Sequence, residues 1–157
     1  MKNVSINLKI SKGEILNELT RRTSYTVLAV APTQAEDGGE MDKIVLSSDD
    51  YSWCSDKFSS VFFRLQKILS PFSSSGCVFS KETEDEMSFQ IRMSSKVQES
   101  VSHYIREIII SYILSQWYLE RSFEKSQYLT IQCENLITLL QMVMNSQEKK
   151  RRPINYF

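Results

Sequence analysis

Residues 96–121 set the terms for the rest of the chain. Val97, Val101, Tyr104, Ile105, Ile108 and Tyr112 fall on one helical stripe and Ile109, Ile113 and Trp117 on a second, so the centre of this segment is apolar nearly all round. A helix of that kind is buried on most sides, and other elements have to surround it. At 1.5 Å per residue it would run roughly 40 Å, about the width of the domain it serves as axle. The 157 residues suffice for one domain with a real core, and 4 Gly and 3 Pro are too few for a fold built on many tight turns. The expected class is mainly α (α+β): a bundle of about four helices with a short N-terminal strand and an inserted β-hairpin.

The other elements follow from local pattern. Val4, Ile6, Leu8 and Ile10 alternate with Ser5, Asn7 and Lys9, as in a half-buried strand at a sheet edge. Ser11 and Glu14 form a capping box flanked by Ile10 and Ile15 as a hydrophobic staple, so a helix starts at Ser11. Its apolar positions Ile15, Leu16, Leu19, Thr23, Val27 and Val30 carry it towards Ala31, where Pro32 should stop it, although residues 25–30 would also suit a strand. Residues 32–46, with the Gly38-Gly39 pair and no apolar period, have the composition of a mobile loop.

Ser47 and Asp50 mark a second helix start, and Cys54, Phe58, Val61, Phe62, Leu65, Ile68 and Leu69 share one face up to the stop at Ser70-Pro71. Residues 76–93 read as a β-hairpin with an acidic tip at 82–86 and alternating Met87, Phe89, Ile91 and Met93. A lone hairpin is marginal, so either the 4–10 strand or a neighbouring subunit has to cover it. After a break near Ser122, Leu129, Cys133, Leu136, Ile137, Leu140, Val143 and Met144 give a last amphipathic helix. The domain spans 1–147, and 148–157 is a basic tail.

Several function classes are disfavoured. Lys+Arg 19 balances Asp+Glu 19, which removes any uniform attraction to nucleic acid or anionic membrane. Cys54, Cys77 and Cys133 are too scattered for a metal or disulfide framework and fit a reducing compartment as core thiols. Residues 108–119, the longest uncharged apolar run, number 12 where a spanning helix needs about 20, and the amino terminus lacks a signal-peptide core. The expectation is a soluble, cytoplasmic protein that does not enter a membrane. No glycine-rich phosphate loop, calcium loop or metal-ligand spacing occurs, so no cofactor, metal or small-molecule substrate is expected. His103, the single histidine, has no nucleophile or metal motif beside it and reads as a surface group.

What remains is contact chemistry. Lys149, Lys150, Arg151 and Arg152 concentrate charge in a neutral chain, and Tyr156 and Phe157 follow as aromatic anchors. The basic run either complements the carbonyl end of the preceding helix or docks on an acidic partner, with nucleic-acid phosphate as the alternative. Glu82, Glu84, Asp85 and Glu86 offer opposite charge to such a tail on a neighbouring copy. Phe63 lies off the main stripe of its helix, and Trp117 and Tyr118 point about 100° apart, so some of this aromatic surface is expected between subunits.

The early helix Ile15-Leu16-Asn17-Glu18-Leu19-Thr20 running into Thr23-Ser24-Tyr25-Thr26, the long helix ending Tyr112-Ile113-Leu114-Ser115-Gln116-Trp117-Tyr118-Leu119, and the Lys/Arg-rich end with Pro153 resemble the layout of small helical head-tail connector (adaptor) proteins of tailed bacteriophages and prophages. The resemblance is one of architecture. It implies a non-enzymatic, ring-forming structural protein of the virion, a homo-oligomer seated among other virion proteins. A cytoplasmic nucleic-acid-binding or regulatory adaptor is the alternative function.

Overall fold

The structure, a computed structural model, describes residues 4–34, 45–72 and 79–149, with side chains undescribed at 25–34, 79–80 and 147–149. Expectations placed on residues 35–44, Cys77, the start of the hairpin at 76–78, Lys150, Arg151, Arg152, Tyr156 and Phe157 lie outside the described residues.

Strand β1 (Val4–Ser11) alternates as its sequence demands, with Leu8 and Ile10 buried and Asn7 and Lys9 outside. Ser11 then hands over to helix α1 (Lys12–Gln34), its hydroxyl accepting the Glu14 amide at 3.4 Å, while Ile10 and Ile15 enter one core. Residues 25–30 are helix. Pro32 does not stop α1, which runs two residues beyond it. A proline this close to a carboxyl end forfeits little more than one backbone hydrogen bond.

Ser47 and Asp50 cap as expected, the Ser47 amide donating to Asp50 Oδ2 at 3.0 Å, and a 3-10 turn at Ser48–Asp50 leads into α2 (Tyr51–Leu69). Its predicted stripe is its buried face, with Ile68 at the margin.

The hairpin consists of β2 (Phe79–Glu82) and β3 (Glu86–Met93), and β1 pairs antiparallel with the other edge of β3, giving the order β1-β3-β2. The register sets Leu8 against Phe89 and Ile10 against Met87, so every apolar side chain of β1 and β3 shares one face. Helices cover that face, with Phe62 of α2 standing 5.3 Å from Phe89 between ring centroids. The 4–10 strand therefore extends the hairpin sideways, and the covering layer comes from the same chain.

The sheet is pinned to the helices at its tip. The Lys12 amide donates to the Asp85 carbonyl at 2.9 Å, and Lys12 Nζ reaches Glu82 Oε1 at 2.9 Å, which also accepts from Ser59 Oγ at 3.1 Å.

Ser94 accepts the Lys96 amide and opens a 3-10 turn at Ser95–Val97, so the long helix α3 (Gln98–Tyr118) is 21 residues, about 31 Å, and shorter at both ends than its apolar pattern suggested. Its interior is buried as expected: Ile108, Ile109, Ile110, Ser111, Ile113, Leu114, Ser115, Trp117 and Tyr118 are all inside. Arg22 of α1 binds it from one side, through Nη2 to Glu107 Oε1 at 3.0 Å. Helix α4 (Phe123–Lys149) returns along α3, with Cys133, Ile137, Leu140 and Met144 buried and Ser126 Oγ donating to the Ser115 carbonyl at 2.8 Å. It takes in the first two residues of the expected tail. Among the described residues the architecture is a mainly α bundle of four helices with a small three-stranded sheet.

Candidate interaction surface

A surface available for function has to be sought where the core pattern leaves something over. Two places on the described residues do so.

The first is a polar groove of about 600 Å³ between the outer edge of β1 and the start of α3. Asn7, Leu8 and Lys9 form one wall, and Lys96, Glu99, Ser102, His103 and Arg106 belong to the other. Arg106 Nη1 is 3.7 Å from Glu14 Oε2, and the exposed His103 ring has Tyr104 as its ring neighbour at 6.0 Å. Among the described residues no hydrogen bond orients the imidazole. The groove is a polar, mildly cationic trough.

The second is the outer side of α4. Cys133, Ile137, Leu140 and Met144 define the buried stripe, and about 180° round the helix lie Tyr128, Ile131 and Met142, with Leu139 beside them. These four are 67, 61, 61 and 42% exposed, the last being Leu139. Asn135 and Thr138 complete the face, both exposed. Thr138 satisfies its hydroxyl on the Glu134 carbonyl at 3.0 Å, whereas the Asn135 side-chain carboxamide makes no hydrogen bond among the described residues. Along one border Glu134 pairs with Arg64 of α2. Single exposed apolar residues are ordinary on a protein surface, but an aligned set over four turns is not.

The residues expected at interfaces divide in two. Phe63 is exposed at 62%, touching Phe62 edge-on at 6.2 Å, and Glu84 and Asp85 are exposed at the hairpin tip. Glu82 is turned inward instead, bound by Lys12 and Ser59, and Glu86 is half-buried, so half of the acidic tip is spent inside its own chain. Trp117 is a correction. It is 3% exposed, meets Trp53 edge-on at 5.3 Å and carries the Arg121 guanidinium 3.7 Å from its ring centroid. The aromatic excess noticed in the sequence is absorbed there by α2 and by the turn after α3. Lys149 is the last residue of α4.

The Cys54 and Cys133 thiols are buried. Burial, reinforced by the Asp50 charge, pushes Cys54 up to about 12, and burial raises Cys133 as well. Thiols in that state are core packing and not nucleophiles. Among the described residues there is no cluster of three or more His, Cys, Asp or Glu able to hold a metal ion. No helix among them is long and apolar enough to cross a membrane.

The outer stripe of α4 is the part that sequence reasoning passed over. Its signal was there as a second apolar set out of phase with the first, hidden because Tyr128, Ile131, Leu139 and Met142 are interleaved with the stronger core stripe. No family model, curated protein or solved structure matches the chain.

Proposed function

We propose that this chain is a non-enzymatic assembly subunit that associates with further copies of itself through the outer face of α4. The observation that carries the proposal is the line of exposed apolar side chains opposite the core stripe of a helix whose inner face is already satisfied by α3. The resemblance to head-tail connectors gives the proposal its specific form, a structural subunit of a phage or prophage particle.

Sedimentation velocity of the full chain across a wide concentration range tests it, with Ile131→Glu as the variant. The expected result is a mass above one chain that rises with concentration and is lost in Ile131→Glu, while the circular dichroism of the two proteins agrees. A wild-type protein that stays monomeric throughout, or a variant that assembles equally well, overturns the proposal.

A further inference from the structure

Self-association through a helix face leaves open which way the two helices run. The outer stripe of α4 and the charges at its two ends decide it together. Its members Tyr128, Ile131, Asn135, Leu139 and Met142 are separated by 3, 4, 4 and 3 residues. Read from Asn135, the apolar side chains stand at minus 7, minus 4, plus 4 and plus 7, so the stripe is the same in both directions.

A parallel, in-register pair would also set each member against its own copy, but it would place Glu124 against Glu124 and align the two helix dipoles. An antiparallel pair with its two-fold axis at Asn135 uses every member. Tyr128 meets Met142 of the second copy, Ile131 meets Leu139, and Asn135 meets itself. The two-fold also gives Asn135 something to do. A carboxamide carries both donors and acceptors, so two of them facing across the axis satisfy each other inside an otherwise apolar seam. A lone polar residue at such a position fixes register at some expense of stability.

The ends agree with this direction. Glu124 lies opposite position 146 of the second copy and within one turn of its Lys149, and the helix dipoles oppose.

Resting on the self-association proposed above, we infer that α4 pairs with α4 of a second copy, antiparallel, about a two-fold axis through Asn135. The seam spans about 21 Å along the helix. The four apolar side chains leave on the order of 400 Å² uncovered per copy, so pairing hides about half of what a standard stable interface buries, and the association is of the weak, reversible class. An isologous contact closes on two copies, so a ring would be built from such pairs through another surface.

The test is disulfide trapping in a Cys77→Ser background, where the natural thiols Cys54 and Cys133 are buried. Asn135→Cys should cross-link to itself, Tyr128→Cys alone should not, and a mixture of Tyr128→Cys with Met142→Cys chains should give the mixed dimer. Asn135→Leu should tighten association while blurring that pattern. Ile131→Glu, which acts once on each copy, should raise the dissociation constant by at least about 30-fold.

Efficient self-cross-linking of Tyr128→Cys, or no mixed dimer, overturns the antiparallel pairing. If this happens while Ile131→Glu still abolishes assembly, the direction alone is wrong. If Ile131→Glu leaves assembly intact, the face itself is wrong and the proposed function falls with it.

Discussion

Replacing Thr23 with valine removes one oxygen atom from the middle of the fold and changes little else. Thr23 is fully buried, and its hydroxyl donates to the Leu19 carbonyl at 2.9 Å while accepting the amide of the equally buried Leu46 at 3.0 Å. That single bond ties the approach to α2 back onto α1 across 23 positions of chain. Valine fills nearly the same volume but leaves the Leu46 amide facing a methyl group, away from water. An orphaned buried donor costs about 1–3 kcal/mol, whereas Thr23→Ser keeps the oxygen and loses one buried methyl, about 1 kcal/mol. With an m-value of about 2 kcal/mol/M in urea, the valine variant should unfold about 1 M earlier than wild type and the serine variant only about half that. Both have to be compared at one protein concentration, since association would add stability. Hydrogen exchange gives the local readout: the Leu46 amide should lose more protection in Thr23→Val than its neighbours on α2. Equal midpoints for the valine protein and wild type, or serine costing more than valine, would refute the reasoning.

Two further outcomes follow from other parts of the molecule. Hydrogen bonds from Arg21 and then Arg22 hold the Glu18 carboxyl down at about 2, against an ordinary value of 4.5. A depressed acid stabilises the fold above the higher value and stops doing so as pH falls through the lower one, so thermal unfolding of wild type should drop between pH 4.5 and 2. Glu18→Gln should flatten that part of the curve, and a variant curve that runs parallel to wild type would discount the carboxyl. Trp117→Leu should lower stability by about 2–4 kcal/mol in urea titrations and leave the association constant unchanged, because Trp117 is packing between Trp53 and Arg121. Weakened association in a protein of undiminished stability would put Trp117 back at an interface.

Most of the fold was legible because its signals are local or repetitive. The Ser11 cap, of whose expected reciprocal box only the Ser11 half forms, the start at Ser47 and Asp50, the break near Ser122 and the all-round apolar centre of α3 each state a physical requirement within a few residues. Side-chain destinations across elements were less so. That Glu82 would bind Lys12, 70 positions away, depends on the hairpin folding its tip onto the start of α1, which nothing near either residue announces. Trp117 and Tyr118 diverge on the helix as expected, yet both are buried, since α3 is enclosed from more than one side. Conversely, the outer apolar face of α4 went unread because a helix with two apolar faces looks, position by position, like one with a broad core face.

The distinction between a broad core face and two separate ones turns on what packs against the helix. Val4, Phe63, Leu119 and Phe123 are also exposed, at 48, 62, 51 and 62%, but they sit singly on different elements or at the turn before α4 and share no line. Scatter of that sort needs no partner. On α4 the exposed residues keep helical phase for four turns, and the polar residue at their midpoint is the one whose position a two-fold axis would select. The helix is held by α3 on its inner side and by the Arg64 contact on one border, so its outer half adds nothing to the stability of a single chain. Pairing two such helices would bury both outer faces and stiffen both helices at once, which couples folding to association. The unfolding midpoint of the wild-type protein should then rise with its concentration, while that of Ile131→Glu should not.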